Sequence, residues 1–337
     1  MVQDMVYDDH TIEEEAKRLH ASLSRVHWSY SDCEIIAPLT LEINELKKEK
    51  NAVILAHSYQ TPDIVFGVAD FTGDSLGLSK AAANTTAETI IFAGVVFMAE
   101  TAKILSPDKQ VIIPSLDAGC SLADSITGAD VRKLKEQHPD APVIAYVNTT
   151  ADVKAETDIC VTSANVEKVV TQLPDEKIIF IPDRNMANYL RKLVPDKEII
   201  SWDGGCVVHE EYKPESVQAI RTQYVDLMVI AHSECPGEVL DEVDLVGGTS
   251  DMQRFIEDHP EQKRYFLVTE CGLSDRFAVE YPDREFYGTC SLCPYMKEVQ
   301  LRNILQALKS PQPDQIVNLD PVIMQKAKSS LDEMLKY

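Results

Sequence analysis

The chain has 337 residues, 45% of them hydrophobic and 26% charged, with only 13 glycines, so it carries ample core material and is neither disordered, collagenous nor disulfide-dense. Asp plus Glu number 55 against 32 Lys plus Arg, and the resulting net charge of −23 opposes loose binding to nucleic acid or to an anionic membrane. The amino terminus lacks a basic start before an apolar run and no segment approaches the roughly 20 apolar residues of a membrane span, so eight cysteines point to a reducing cytoplasm and to thiols kept for metal or chemistry.

In chain order, residues 1–46 read as a helical extension. Three short apolar runs rich in β-branched residues follow, Ala52 to Ala56, Val143 to Val147 and Leu227 to Ala231, each the mark of a buried parallel strand. Each ends in a polar pair spaced i, i+2: His57 and Tyr59, Tyr146 and Asn148, His232 and Glu234. Further on, each unit has a small hydroxyl residue expected to open a helix: Ser75, Ser163 and Thr249. A second strand follows in TIIFAGV, KIIFIPD and YFLVTEC, then a helical stretch ending in Pro107-Asp-Lys109, Pro195-Asp-Lys197 and Pro282-Asp-Arg284. A third strand is expected to close on a cysteine, Cys120 in DAGCSLADS and Cys206 in DGGCVVHEE. Cys206 lies 11 residues after its proline, and 11 residues after Pro282 is Cys293, the second member of a Cys290-x-x-Cys293 pair.

Four landmarks recurring at about 87 residues indicate three copies of one alternating unit. The expected fold is α/β: three repeated α/β/α sandwich domains with small parallel sheets, pseudo-threefold around a central active-site cavity. The repeats span 47–135, 136–220 and 221–310, and residues 311–337 form a closing helical tail. Carboxyl ends of parallel strands line ligand crevices, and every landmark sits there.

Three converging thiols with no obvious fourth suggest a metal centre that keeps one position open, for which zinc and a four-iron cluster both remain possible. Helix amino termini carrying Ser75, Ser163 and Thr249 suit an anionic substrate, whether several carboxylates or a phosphate. His57, Tyr59, Tyr146, His232 and Glu234 are candidates for proton transfer and substrate orientation. Other classes stay open: an iron–sulfur sensor or electron carrier closed by Cys235 or Cys160, a zinc hydrolase on the three thiolates, and a dithiol oxidoreductase using Cys290 and Cys293.

The stretches LAHSYQTPDI, ADFTGDSLGLSK, AGVVFMAETAKILSP, DAGCSLADS, YVNTTADVKAETDICVTSAN, IPDRNMANYL, CVVHEE, AHSECPGEV, GGTS and CSLCPYMK resemble, in the same order, those of the quinolinate synthase family, iron–sulfur enzymes of de novo NAD biosynthesis. The resemblance implies a 4Fe-4S cluster held by Cys120, Cys206 and Cys293, with one open iron acting as a Lewis acid. It implies condensation of iminoaspartate with dihydroxyacetone phosphate to quinolinate, releasing phosphate and two waters, and a functional link to an iminoaspartate-producing enzyme. Catalysis would fall to Glu234 as general acid/base, with His57, Tyr59 and Tyr146 moving protons. Ser75, Asn148, Ser163, His232 and Thr249 would hold substrate, with His209 beside the cluster. Departures from the family pattern are Ser58, Ala93 and Ser233, in place of an aromatic, a cysteine and a proline, and a carboxyl-terminal motif with two cysteines where some relatives have three.

Overall fold

The three apolar runs become the inner strands of three separate four-stranded sheets in a computed structural model. Residues 5–224, 226–289 and 291–337 are described, so Cys290 lies outside the described residues. The first sheet has β1 (Ala52–His57), β2 (Phe71–Gly73), β3 (Thr89–Ala93) and β4 (Gln110–Ile112), in the order β2-β1-β3-β4. The second has β5 (Val143–Tyr146), β6 (Ile159–Val161), β7 (Lys177–Ile181) and β8 (Glu198–Ser201), in the order β6-β5-β7-β8. The third has β9 (Leu227–His232), β10 (Leu245–Gly247), β11 (Arg264–Val268) and β12 (Glu285–Gly288), in the order β10-β9-β11-β12. Every sheet is parallel and its strands alternate with helices, so the chain is an α/β protein built from three like units.

The inner strands are covered on both faces, and Ile54, Leu55, Ile90, Ile91, Val143, Phe180 and Ile230 are fully buried. Each large aliphatic side chain so placed contributes about 1.5–3 kcal/mol. Sequence reading gives three strands per unit where the structure has four. The additions, β2, β6 and β10, have three residues each and pair beside the inner strand, too short to leave a hydrophobic pattern.

A polar clamp is repeated with the sheets. The carboxylates of Asp70, Asp158 and Asp244 each accept the backbone N–H of an inner-strand residue, Ile54, Val143 and Val229, at 2.8 Å in all three cases. Lys47, Lys135 and Arg221 pair with these carboxylates and also donate to the carbonyls of Val68, Glu156 and Glu242. The Pro-Asp-Lys landmark fastens the fold in a similar way. Lys109 binds the Thr85 and Ala87 carbonyls, and Lys197 those of Leu173 and Asp175, tying the turn before the outer strand to the turn before its neighbour. Both devices work at strand starts, so the Pro-Asp-Lys landmark does not join the others at the carboxyl ends as expected, and those ends are left for chemistry.

The chain divides into two compact units. The first, Met1–Ala118, Gly272–Phe286 and Pro294–Val317, holds the first sheet. There the helix Asp9–Leu23 packs on the helix Tyr30–Glu49 through Ala16, Leu19, Leu23, Cys33 and Ala37. The second unit is Gly119–Cys271, Tyr287–Cys293 and Asn318–Tyr337. In it the closing helix Pro321–Met334 lies against β6 and the short helix Ala151–Lys154, burying Ala327, Leu331 and Met334. No helix among the described residues is long and apolar enough to cross a membrane.

Candidate active site

Cys120 and Cys206 sit in loops well past the last strand residues, Ile112 and Ser201, rather than closing the strands themselves. Each cysteine loop is docked by the same hydrogen bond. Just beyond β3, β7 and β11, the N–H groups of Val96, Arg184 and Cys271 donate to the carbonyls of Ala118, Gly204 and Ser291 at 2.8, 2.9 and 3.1 Å. Those acceptors stand two residues before Cys120, Cys206 and Cys293, so in this register Cys293 is the counterpart of the other two. Gly204 has no room for a side chain, since a Cβ there would meet the Pro182 carbonyl at 2.5 Å.

The three thiols share one electrostatic neighbourhood. Burial pushes Cys120 up to about 12, with Glu234 and Cys293 adding to the effect, and burial, Glu234 and Cys120 push Cys206 well above the ordinary thiol range. Soft donors grouped in this way fit a metal centre, which would take the place of the thiol protons. Ser121 joins two of the loops: its hydroxyl donates to the Gly205 carbonyl at 3.0 Å and accepts the Val207 N–H at 3.2 Å. The other two cysteines considered for a fourth ligand are occupied elsewhere. Cys235 is packed among Val229, Val239 and Phe266 with its sulfur on the Val268 carbonyl, and Cys160 contacts Ser330 at 3.3 Å.

Beside Cys206 lies a buried polar network. Glu234, at the end of β9, accepts the Tyr146 hydroxyl at 2.6 Å on Oε1, and its Oε2 is 2.8 Å from His209 Nδ1. The same Nδ1 is 3.3 Å from Cys206 Sγ, and His209 Nε2 is 3.0 Å from the Thr269 hydroxyl. His232 stacks on His209 with ring centres 4.6 Å apart. Burial pushes the Glu234 carboxyl upward, but His232, His209 and the Tyr146 hydroxyl outweigh it and hold Glu234 well below the usual carboxylate range. Burial lowers His232 to about 4 against the opposing pull of Glu234, so its imidazole is neutral at pH 7. Its Nδ1 accepts the Glu234 N–H at 3.3 Å, which places its proton on Nε2.

Other predicted residues gather around the second sheet. Asn148 has a buried Oδ1 with no hydrogen-bond partner, an acceptor left for a ligand to satisfy. Ser163 and Thr249 are brought together by Gly248, where a Cβ would lie 2.2 Å from the Ser163 hydroxyl. Thr249 opens its helix as expected (Thr249–Asp258), whereas Ser163 lies in a turn before the helix Val166–Gln172. The cause is Asn165, whose Oδ1 accepts the Thr162 N–H at 2.7 Å and holds the chain in that turn.

Sequence reasoning missed three residues here. Lys154 is fully buried, and its ammonium donates to the carbonyls of Val147, at 2.8 Å, and Thr149, the neighbours of Asn148. Asn185 donates to the Glu234 carbonyl at 3.0 Å, and Thr269 orients His209. Lys154 and Asn185 stand in stretches already quoted for their resemblance, so the signal was present without a role attached.

Within the first unit, His57 at the end of β1 repeats the turn of His232: its Nδ1 accepts the Tyr59 N–H at 3.1 Å, and the two rings meet edge to face at 4.5 Å. Both residues are buried. Lys297 donates to the Tyr59 carbonyl, Gln60 to that of Met296, and Arg276 to the Ser58 hydroxyl at 2.8 Å. Ser75 opens the helix Ser75–Asn84, capped by Asp74 through the Gly77 N–H.

An α/β chain with a buried carboxylate held by a phenol and an imidazole against a thiol has the side chains of an enzyme site that could hold a metal. The profile of the family described as Quinolinate synthetase A protein matches residues 41–336, and the chain belongs to that family. It is 45% identical over 313 residues to a quinolinate synthase of Caulobacter vibrioides, covering 92% of this chain and 84% of that protein. It is 46% identical over 293 residues to quinolinate synthase 2 of Mesorhizobium japonicum (87% and 89% covered) and to a quinolinate synthase of Xylella fastidiosa (87% and 85% covered).

Proposed function

We propose that the chain condenses iminoaspartate with dihydroxyacetone phosphate to give quinolinate, one phosphate and two waters, working in the cytoplasm with a 4Fe-4S cluster on Cys120, Cys206 and Cys293. The observation that carries this reading is the Glu234 network: an acid–base group, its proton-sharing phenol and a cysteine sulfur lie within one chain of contacts no longer than 3.3 Å per link. Family membership and the common register of the three cysteine loops support it. When bound, the cluster supplies a Lewis-acidic iron that polarises a substrate oxygen or nitrogen.

The residues of the chain do the rest. Glu234 enters the reaction ionised, so it takes a carbon-bound proton first and returns it to a leaving hydroxyl, as each dehydration requires. Tyr146, hydrogen-bonded to that carboxylate, steadies the charge before the transfer and relays the proton afterwards. Neutral His232 presents Nε2–H as a donor without adding a charge. Asn148, Ser163 and Thr249 offer donors to carboxylates or phosphate, and the helix amino terminus at Thr249 adds a favourable field. His57, Tyr59 and Ser75 are assigned substrate orientation on the family pattern, and the rigid turn at His57 suits that role. Since an imine in water is short-lived, an enzyme that makes iminoaspartate would act alongside.

The test is the anaerobic rate of quinolinate formation from the two substrates by the cluster-loaded protein, compared with its Cys290→Ser and Cys293→Ser variants. Activity that survives the first change and vanishes with the second is expected. A fully loaded protein that forms no quinolinate would overturn the assignment.

A further inference from the structure

We propose that Cys206, His209 and Glu234 form a second metal site, one that takes a single zinc-class ion when the cluster is absent and thereby competes with the cluster for Cys206. Among the described residues these three side chains offer a sulfur, a ring nitrogen and a carboxylate oxygen that all lie within 4.8 Å of one another. The nitrogen is at the centre, with His209 Nδ1 2.8 Å from Glu234 Oε2 and 3.3 Å from Cys206 Sγ. A tetrahedral zinc ion at ordinary bond lengths would set those separations at roughly 3.3 and 3.6 Å. Lengthening these two separations by about 0.3–0.5 Å brings both to coordination distances.

An independent observation is that the ligands already have outer partners. His209 Nε2 faces the Thr269 hydroxyl at 3.0 Å, and Thr269 is itself gripped at its carbonyl by the Tyr212 hydroxyl. With Nδ1 on the ion, Nε2 carries the ring hydrogen, and the Thr269 hydroxyl is placed to accept it. Glu234 Oε1 is held by Tyr146 at 2.6 Å, which leaves Oε2 for the ion. Each of these two ligands is therefore aimed by a neighbour outside the set, the usual arrangement of a metal site. One thiolate, one imidazole and one carboxylate select a borderline ion such as Zn²⁺ over Mg²⁺ or Ca²⁺ and leave a fourth position for water. Binding releases the Cys206 thiol proton, removes a cluster ligand and ties up the proposed acid–base group. Zinc bound in this way would hold the protein inactive.

The experiment titrates Co²⁺, and then displacing Zn²⁺, into protein freed of cluster under anaerobic reducing conditions, reading stoichiometry and the thiolate-to-cobalt charge-transfer band. One ion per chain is expected. Cys206→Ser, His209→Asn and Glu234→Gln should each weaken binding at least about 100-fold, and Thr269→Val, which leaves the ligands in place, about 10–100-fold. Cys120→Ser and Cys293→Ser should bind within a few-fold of the unmodified protein. Circular dichroism confirms that each variant is folded. Absence of binding overturns the proposal, and so does binding that ignores His209→Asn but is lost with Cys120→Ser, because the ion would then sit on the three thiols. A second arm adds iron and sulfide after zinc. Cluster absorbance should be blocked in the unmodified protein and return in His209→Asn, which keeps all three cysteines. Only this arm rests on the cluster reading: protein that builds no cluster even without zinc refutes that reading, whereas a cluster that forms unhindered in zinc-loaded protein refutes the competition.

Discussion

At the scale of single residues, Glu234 shows how burial and partners set a chemical role together. Enclosure alone would keep its carboxyl protonated, yet two imidazoles and the Tyr146 hydroxyl hold it ionised. Glu234→Gln keeps the shape and removes the base, so the rate of quinolinate formation should fall about 10²–10⁴-fold, with the thermal midpoint little changed. Turnover within a few-fold of the unmodified enzyme would remove Glu234 from the acid–base role. Lys154 acts through others. Its buried ammonium fixes the two carbonyls that flank Asn148, so Lys154→Met should leave both short of a donor and cost about 1–3 kcal/mol of stability. Because the Tyr146–Asn148 strand end would lose its register, kcat should drop on the order of 10–100-fold. Lys154→Arg, which still reaches one carbonyl, should recover part of both; equal loss in the two variants would show that packing volume matters and the donor does not. Glu234 and Tyr146 were legible in the sequence because three strand ends recur with polar pairs in register. Lys154, Asn185 and Thr269 were not, since each works on a backbone carbonyl or another side chain and nothing in a linear pattern marks such a partner.

Among the elements, the repeat is written twice, once in apolar runs and once in polar clamps. The runs were readable because five consecutive apolar residues, most of them buried, stand out from their surroundings. The clamps were not, although Asp70, Asp158 and Asp244 follow the same period, because a lone aspartate after a helix looks like any loop residue. Each of these carboxylates accepts an inner-strand N–H at 2.8 Å and pairs with a cation of the helix before that strand. Asp158→Ala should therefore orphan the Val143 N–H and destabilise the second unit by about 1–3 kcal/mol, measured by urea unfolding. Metal content and the specific activity of the folded fraction should stay unchanged, since the clamp lies at the start of β5 and the chemistry at its end. A loss of activity larger than the loss of folded protein would mean that the clamp also sets the geometry of the strand end. The three-residue strands β2, β6 and β10 escaped the sequence for a related reason: they are defined by pairing with β1, β5 and β9, which only the folded chain displays.

For the whole molecule, triplication provides three cysteine loops without asking metal to build them. Zinc-finger domains fold around their ion because nothing else orders the ligands. Here the loops are docked by backbone hydrogen bonds from Val96, Arg184 and Cys271, and Ser121 links two of them, contacts that use no cysteine side chain. These contacts predict that the loops keep their order when the proposed cluster is removed. Removing the cluster by a chelator under oxidising conditions, followed by reduction, should abolish quinolinate formation while leaving the far-ultraviolet circular dichroism and a cooperative thermal transition in place. Activity should return on reconstitution with iron and sulfide without a refolding step. Two further substitutions sharpen the expectation. A side chain at Gly204 would collide with the Pro182 carbonyl and displace the Cys206 loop, so Gly204→Ala should lower cluster occupancy more than it lowers the thermal midpoint. Ser121→Ala, which cuts the link between two loops but adds no bulk, should do the same more weakly. If removing the cluster instead melts the secondary structure, the loops depend on the metal for their order, and the hydrogen bonds repeated beneath the cysteines would be a consequence of loading rather than its preparation.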